Sequence, residues 1–238
     1  MIAILKKEFN SFFSSPIAYL VIGVFLLING LFLFIFKDDF NILNAGFADI
    51  NSFFYLAPWV FLFLIPAITM KSFADEFNNG TIELLKTKPI SNWQIVLGKF
   101  WASLLLVVIA IIPTFTYVFT IYELGNPVGN IDFGSTIGSY IGLLFLASTY
   151  TAIGLFTSTL SKNQIVAFIL GVFITFIFFY GFDAIANSFS NNLMIQKFGI
   201  NEHYKSISRG IIDTRDLMYF ISVTIFFLFI TKMRLENE

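Results

Sequence analysis

Residues 53–70 read FFYLAPWVFLFLIPAITM, residues 71–99 read KSFADEFNNGTIELLKTKPISNWQIVLGK, and residues 100–122 read FWASLLLVVIAIIPTFTYVFTIY. The two apolar runs have the length of membrane-crossing helices, which need about 20 apolar residues. The polar stretch between them holds helix stops, helix starts, lysines and apolar side chains, which a simple connection between two spans does not need. We therefore expect 71–99 to be a docking element for another protein.

The composition places the chain among membrane proteins. It has 238 residues, of which 57% are hydrophobic and only 12% charged, and its mean hydropathy is +0.82. A soluble domain of this size cannot bury so much apolar surface, so we predict an all-α polytopic membrane protein. The net charge of −1 argues against nucleic acid as a partner. The chain has no cysteine and one histidine, which excludes thiolate and paired-histidine metal sites.

The hydropathy pattern predicts a single domain, residues 1–238, with six transmembrane helices. The segment 183–216 contains two apolar patches, 184–189 and 193–198. Each patch is too short to cross a bilayer, so we expect short interfacial or re-entrant helices there. The predicted spans cover about residues 17–36, 53–70, 100–122, 137–160, 164–182 and 217–231.

The N-terminal segment, residues 1–15, is amphipathic. Apolar residues recur at helical spacing at Ile2, Leu5 and Phe9, while Lys6 falls on the other side. This pattern predicts a helix that lies in the headgroup plane of the membrane.

The polar stretch 71–99 carries its own helix punctuation. Gly80 predicts a left-handed stop to a helix that continues from the preceding span. Thr81 is then expected to cap a short helix, and Pro89 to end it. Ser91 and Gln94 have the spacing of a capping box, which predicts the start of the next helix.

The lysines and arginines predict the orientation. If both termini are cytosolic, most of the 14 basic residues also lie inside, as the positive-inside rule requires. The stretch 71–99 is then cytosolic and the segment 183–216 faces outward. The basic residues placed inside are Lys6, Lys7, Lys71, Lys86, Lys88, Lys99, Lys162, Lys232 and Arg234.

Gly134, Gly138 and Gly142 form a G-x-x-x-G-x-x-x-G series at the start of the fourth span. Such a series allows two helix backbones to approach closely. It fits packing within one bundle and it fits association of two chains, and sequence does not separate these alternatives. Our hypothesis is that the three glycines help to hold two chains together.

Several kinds of chemistry are not expected. The predicted spans contain no ionisable residue, which disfavours a proton- or ion-coupled transporter. No phosphate-binding G-x-x-x-x-G-K-[ST] loop occurs, so the chain is not expected to be an enzyme that hydrolyses ATP. His203 is interpreted as a surface or packing residue, and no catalytic residue is assigned.

One motif resembles a known family. The run from Gly80 through Pro89 to Ser91, with IVLGK at 95–99, resembles the ABC-2 type permeases, the membrane halves of ABC exporters. Four further segments resemble the branch of that family associated with bacterial gliding motility. They are FFSSPIAY at 12–19, APWVFLFLIPAITM at 57–70, GNPVGNID at 125–132 and HYKSISRGIIDTRD at 203–216.

The resemblance implies a type V exporter-like fold and a permease in the cytoplasmic (inner) membrane, working as a pair of chains. A separate cytosolic ABC ATPase would bind ATP and Mg²⁺, and a second, larger membrane subunit would complete the gliding-type transporter. The segment 81–88 would be the coupling helix that rests on the ATPase. The implied docking residues are Gly80, Thr81, Ile82, Glu83, Leu84, Leu85, Lys86 and Pro89.

Two other functions remain open at this point. The chain could be a structural membrane anchor of a motility or envelope complex, without transport. It could also be an ATP-independent channel, although the elaborate stretch 71–99 argues against that.

Overall fold

A computed structural model describes residues 1–44, 46–188 and 193–237, apart from the side chains of Lys86 and Leu193. The described chain is almost wholly helical. Phe189, the last residue of the first predicted apolar patch, lies outside the described residues. The α-helices are α1 Ile2–Phe13, α2 Ile17–Gly30, α3 Asn51–Thr69, α4 Lys71–Asn78, α5 Thr81–Lys86, α6 Asn92–Ile111, α7 Phe115–Leu124, α8 Phe133–Ser158, α9 Gln164–Phe176, α10 Phe182–Ser188, α11 Leu193–Gln196, α12 Ile200–Ile207 and α13 Thr214–Glu236.

Six stretches of helix within the described residues are long and apolar enough to cross a membrane, as the hydropathy pattern predicts. Several join consecutive elements: α2 continues through a π-helical turn, and α6 continues through a 3₁₀ turn at Pro113 into α7. The six stretches are Ile17–Ile35, Asn51–Asn78, Asn92–Leu124, Phe133–Ser158, Gln164–Ser188 and Thr214–Glu236.

The last span is longer than the hydropathy pattern suggests. Its helix, α13, begins after Asp213, whose side chain accepts a hydrogen bond of 2.8 Å from the Arg215 amide. The Asp213 side chain therefore caps α13. The polar residues at both ends of α13 continue the helix beyond its apolar centre, which is why hydropathy alone underestimates its length.

The centre of the bundle is α8, which packs against α3, α6, α9 and α13. The apolar part of α8 is 72% buried, against 28% for the first span and 22% for the fifth. The first and fifth spans therefore form the periphery. Pro58 and Pro66 both lie inside the continuous helix α3.

The glycines at the start of α8 contact another part of the same chain. A Cβ added at Gly138 would lie 2.6 Å from the carbonyl oxygen of Gly210, and one at Gly142 would lie 2.0 Å from Ile207 Cγ2. Both glycines are buried under the end of α12, whereas Gly134 is exposed. The space beside Gly138 and Gly142 is thus filled by the chain itself, which favours packing within one bundle. Association of two chains through these glycines stays a hypothesis.

Candidate docking site

The predicted docking element forms a compact turn at one end of the bundle, called here the docking end. The third helix, α3, is followed directly by α4, and the Asn79 amide closes α4 on the carbonyl of Asp75 at 2.9 Å. Gly80 then has φ +67°, the left-handed conformation that the sequence predicts. This residue reverses the chain, so α5 folds back beside α4 instead of extending it.

The boundaries of α5 differ from the sequence prediction. Gly80 precedes the first helical residue, and Thr81 makes no side-chain capping bond. The helix ends at Lys86 because the Thr87 hydroxyl donates to the Leu84 carbonyl at 3.0 Å and tightens the last turn. Pro89 therefore follows the helix at a distance and restricts the residue before it to an extended conformation.

The side chains of α5 divide into an anchored face and a free face. Ile82 is 8% exposed and belongs to the core, and Leu85 is half-buried against the same core. Leu84 is 64% exposed, and Glu83 beside it is also exposed. Of the two leucines expected to contact a partner, only Leu84 is fully available, because Leu85 helps to hold α5 in place.

The other predicted docking residues surround this free face. Thr81 and Pro89 are exposed, and so is Gly80. The backbone of Lys86 ends α5, while its side chain lies outside the described part of the molecule.

A capping box starts the next helix, as the sequence predicts. The Gln94 amide donates to Ser91 Oγ at 3.3 Å, and the Ser91 amide donates to Gln94 Oε1 at 3.3 Å. This reciprocal pair satisfies two amides that the first turn of α6 leaves free. It fixes the point at which the chain leaves the docking element and enters the third span.

A buried ion network connects the docking element to its neighbours. The Lys99 side chain is 1% exposed, and its Nζ lies 2.8 Å from Glu8 Oε1 and 2.9 Å from Glu76 Oε1. It also donates to the Ser72 carbonyl at 2.6 Å. Lys7 Nζ completes the network at 3.2 Å from Glu76 Oε1. One ammonium group thus joins α1, α4 and α6.

The network is balanced in charge, and the Lys99 ammonium finds an oxygen for each of its hydrogens. Two lysines face two glutamates, and three oxygens surround the Lys99 ammonium, which has three hydrogens to donate. Burial lowers the pKa of Lys7, but the carboxylates of Glu8 and Glu76 outweigh this and raise its pKa overall. A buried charge is tolerated only with such partners, so each member depends on the others.

Sequence reasoning missed this network. The positive-inside count places Lys99 on the cytosolic side without indicating that it is buried, whereas it lies inside α6, in a helical stretch long enough to cross a membrane. The sequence did contain a signal. Ile95 and Ala102, four residues before Lys99 and three after it, are apolar and therefore place Lys99 on an apolar face of α6, which is buried in the structure. The glutamate partners lie on other helices, and helical spacing within α6 could not identify them.

The N-terminal helix is held against α6 as well as being amphipathic. Ile4 and Phe12 are buried, and a Cβ added at Gly98 would lie 2.9 Å from Ile4 Cβ. Ile2 is 65% exposed on the other side of α1. One apolar side of α1 therefore packs against the bundle through Ile4 and Phe12, and another side, with Ile2, stays exposed and can contact the membrane surface.

The turn between α8 and α9, residues 159–163, lies beside the docking element. Gln164, at the start of α9, donates a hydrogen bond from Nε2 to Asp75 Oδ1 of α4. A polar cleft of about 440 Å³ separates the turn from the end of α4. Its lining residues are Asp75, Asn78, Lys162, Asn163, Gln164 and Ile165.

The site is a short helix that packs against α4 and carries one exposed apolar side chain, and α4 is in turn joined to α1 and α6. The model of the ABC-2 family transporter proteins matches residues 2–233, nearly the whole chain. A comparison with curated proteins gives no match. The six apolar helices make the chain a multi-pass membrane protein. With the family match over that length, the chain belongs to the ABC-2 family of transporter proteins.

Proposed function

We propose that the chain is the permease subunit of an ATP-driven ABC-2 transporter and that α5 docks on a separate cytosolic ABC ATPase. The observation that carries this proposal is the exposure of Leu84 on a helix whose other apolar residues are anchored. Leu84 would fill an apolar groove of the ATPase, and Glu83 would contact its rim. ATP and Mg²⁺ would bind to the ATPase, and hydrolysis there would supply the energy.

The connections of α5 support a role in transmitting movement. A force on α5 reaches α4 through the short turn at Gly80, and α4 follows directly from α3. The Lys99 network couples α4 to α1 and α6 through charge-assisted contacts of 2.8 and 2.9 Å. ATP binding by the partner would therefore displace several spans together instead of bending a single loop.

The proposal includes an orientation and an assembly. Both termini and α5 face the cytosol of a cell whose inner membrane holds the chain, and two permease chains form one pathway. Resemblance of four segments to the gliding-motility branch supports a finer assignment, that of component F, which works with a second, larger membrane subunit. The orientation is tested with Asn79→Cys and Ile211→Cys, since an impermeant thiol reagent added outside should label only the second.

The docking proposal is tested by purification from native membranes. Leu84→Asp should release the ATPase, because a charge replaces the apolar contact, while membrane insertion is unchanged. Leu124→Asp is a matched control, since Leu124 is 63% exposed at the opposite end of the bundle. The ATPase should co-purify with that variant as it does with the unmodified chain.

Two outcomes would contradict the proposal. If the Leu84→Asp chain retains the ATPase at full stoichiometry, α5 is not the docking helix. If no ATPase accompanies the unmodified chain, a structural membrane anchor becomes the better function.

A further inference from the structure

The end of the bundle opposite α5 contains a cluster around the single histidine. This opposite end is identified by Tyr204 of α12, whose hydroxyl donates to the Phe54 carbonyl at 2.9 Å, near the start of α3. His203 precedes Tyr204 on the same helix, and its side chain is 17% exposed. The cluster takes no part in the docking proposal.

Both ring nitrogens of His203 face oxygen atoms. Nδ1 lies 2.7 Å from Asp216 Oδ1 on α13, and Nε2 lies 2.9 Å from the Lys197 carbonyl oxygen, in the turn between α11 and α12. A carbonyl oxygen can only accept, so Nε2 must carry a hydrogen. The proton state of the ring then depends on the hydrogen between Nδ1 and Asp216.

Asp216 and Tyr219 hold the ring from α13. The second oxygen of Asp216, Oδ2, accepts a hydrogen bond of 2.5 Å from the Ser206 hydroxyl. Asp216 therefore connects to both His203 and Ser206 of α12. Tyr219 stacks on the ring with centroids 3.9 Å apart. A hydrogen on Nδ1 as well as on Nε2 would let the ring donate to Asp216 and to the Lys197 carbonyl together.

Other charges near the ring are engaged elsewhere. On α12 itself, Lys205 pairs with Glu202 at 3.2 Å and with Asp183 at 3.4 Å. Of the charged side chains described on the neighbouring helices, Asp216 is the one at ion-pair distance from the ring. From the turn between α11 and α12, the Lys197 carbonyl faces the ring. The carbonyl of the next residue, Phe198, accepts a hydrogen bond of 2.6 Å from the Tyr219 hydroxyl.

We propose that His203 is a proton-dependent latch that fastens the turn between α11 and α12 to α13. With both ring nitrogens protonated, the ring bridges Asp216 and the Lys197 carbonyl. A neutral ring has one N–H, and the Asp216 carboxylate is a stronger acceptor than the Lys197 carbonyl. Loss of the proton therefore breaks the hydrogen bond to the Lys197 carbonyl and loosens the turn. Histidine is the side chain whose charge ordinarily changes between pH 5 and 8, so the latch makes this end of the bundle sensitive to pH.

The single histidine allows a direct test on the full chain in lipid nanodiscs. Labelling with ¹⁵N-histidine gives one pair of ring signals, which report whether both nitrogens carry hydrogen. Hydrogen exchange is followed in parallel at the amides of Phe198 and Gly199, which close the turn on the Ile195 and Gln196 carbonyls. Exchange rates are corrected for the intrinsic effect of pH.

We expect both ring nitrogens to be protonated where the turn is protected. As the ring loses its proton, protection of the two amides should fall about tenfold, the change expected when a hydrogen bond to a charged group is lost. His203→Gln should remove this pH-dependent step. Glu202→Gln, one residue away on the same helix, should keep it.

Three results would overturn the latch. The first is a neutral ring at a pH where the turn is fully protected, since the proton would then belong to Asp216. The second is a turn whose protection does not follow the ring signals of the unmodified chain. The third is a pH-dependent step that persists in His203→Gln.

Discussion

At the docking end, α1, α4 and α6 meet around buried charge, whereas at the opposite end α8 and the end of α12 meet around glycine. Lys99 contacts its two glutamates at 2.8 and 2.9 Å. At the other end, Ser139 Oγ donates to the Ser208 carbonyl at 2.9 Å, and Gly138 leaves room for Gly210. Long charged side chains can keep their contacts through a small shift of a helix, but backbones in direct contact leave no room for one. The comparison indicates that α1, α4 and α6 can shift together at the docking end, whereas α8 and the end of α12 are fixed against each other.

The largest effect is expected from Lys99→Met. The change removes the cation and leaves Glu8 and Glu76 close together with only Lys7 as a partner, so we expect a loss of about 3–5 kcal/mol in stability. Thermal unfolding in detergent measures it. Lys162→Met alters an exposed lysine at the same end and should stay within about 0.5 kcal/mol. Equal unfolding temperatures for the two variants would show that the network contributes nothing.

An intermediate effect is expected from Gly138→Ala. The new methyl would lie 2.6 Å from a backbone oxygen, so α8 or the Gly210 turn must move, at a cost of about 1–3 kcal/mol. Gly23→Ala is the control, since nothing lies within 4 Å of its added Cβ, and the change should be neutral or stabilise by up to about 1 kcal/mol.

The same pair of variants tests where Gly138 packs. Gly138→Ala should lower the free energy of unfolding of the single chain. If instead that variant separates two chains without changing the unfolding of either, the contact within one chain is not the important one.

The smallest effect is expected from Gly80→Ala. The space around Gly80 is open, so the cost is that of a left-handed backbone alone, about 1–2 kcal/mol. Gly80→Asn should cost less, because asparagine adopts this conformation more readily. Stability and ATPase co-purification measure the effect on α5. If Gly80→Asn is less stable than Gly80→Ala and also retains less ATPase, the left-handed backbone conformation is not what matters at this position.

Local signals predicted local structure well. The capping box at Ser91 and Gln94 and the left-handed Gly80 are both present, because each depends on a few neighbouring residues. The capping role of Thr81 was wrong, because Gly80 is the N-cap residue and no side chain caps α5. The helix does end before Pro89, at Lys86, two residues earlier than the predicted segment 81–88.

The sequence by itself determined the class of the protein, its six apolar helices and the position of the short helix α5 between the second and third spans. These follow from hydropathy and from turn chemistry, which act over short distances along the chain. Only the tertiary structure decided which charges meet at Lys99, which face of α5 carries Leu84, and what fills the space beside Gly138. Those contacts join residues far apart in sequence, and they depend on how whole helices pack, which no short pattern encodes.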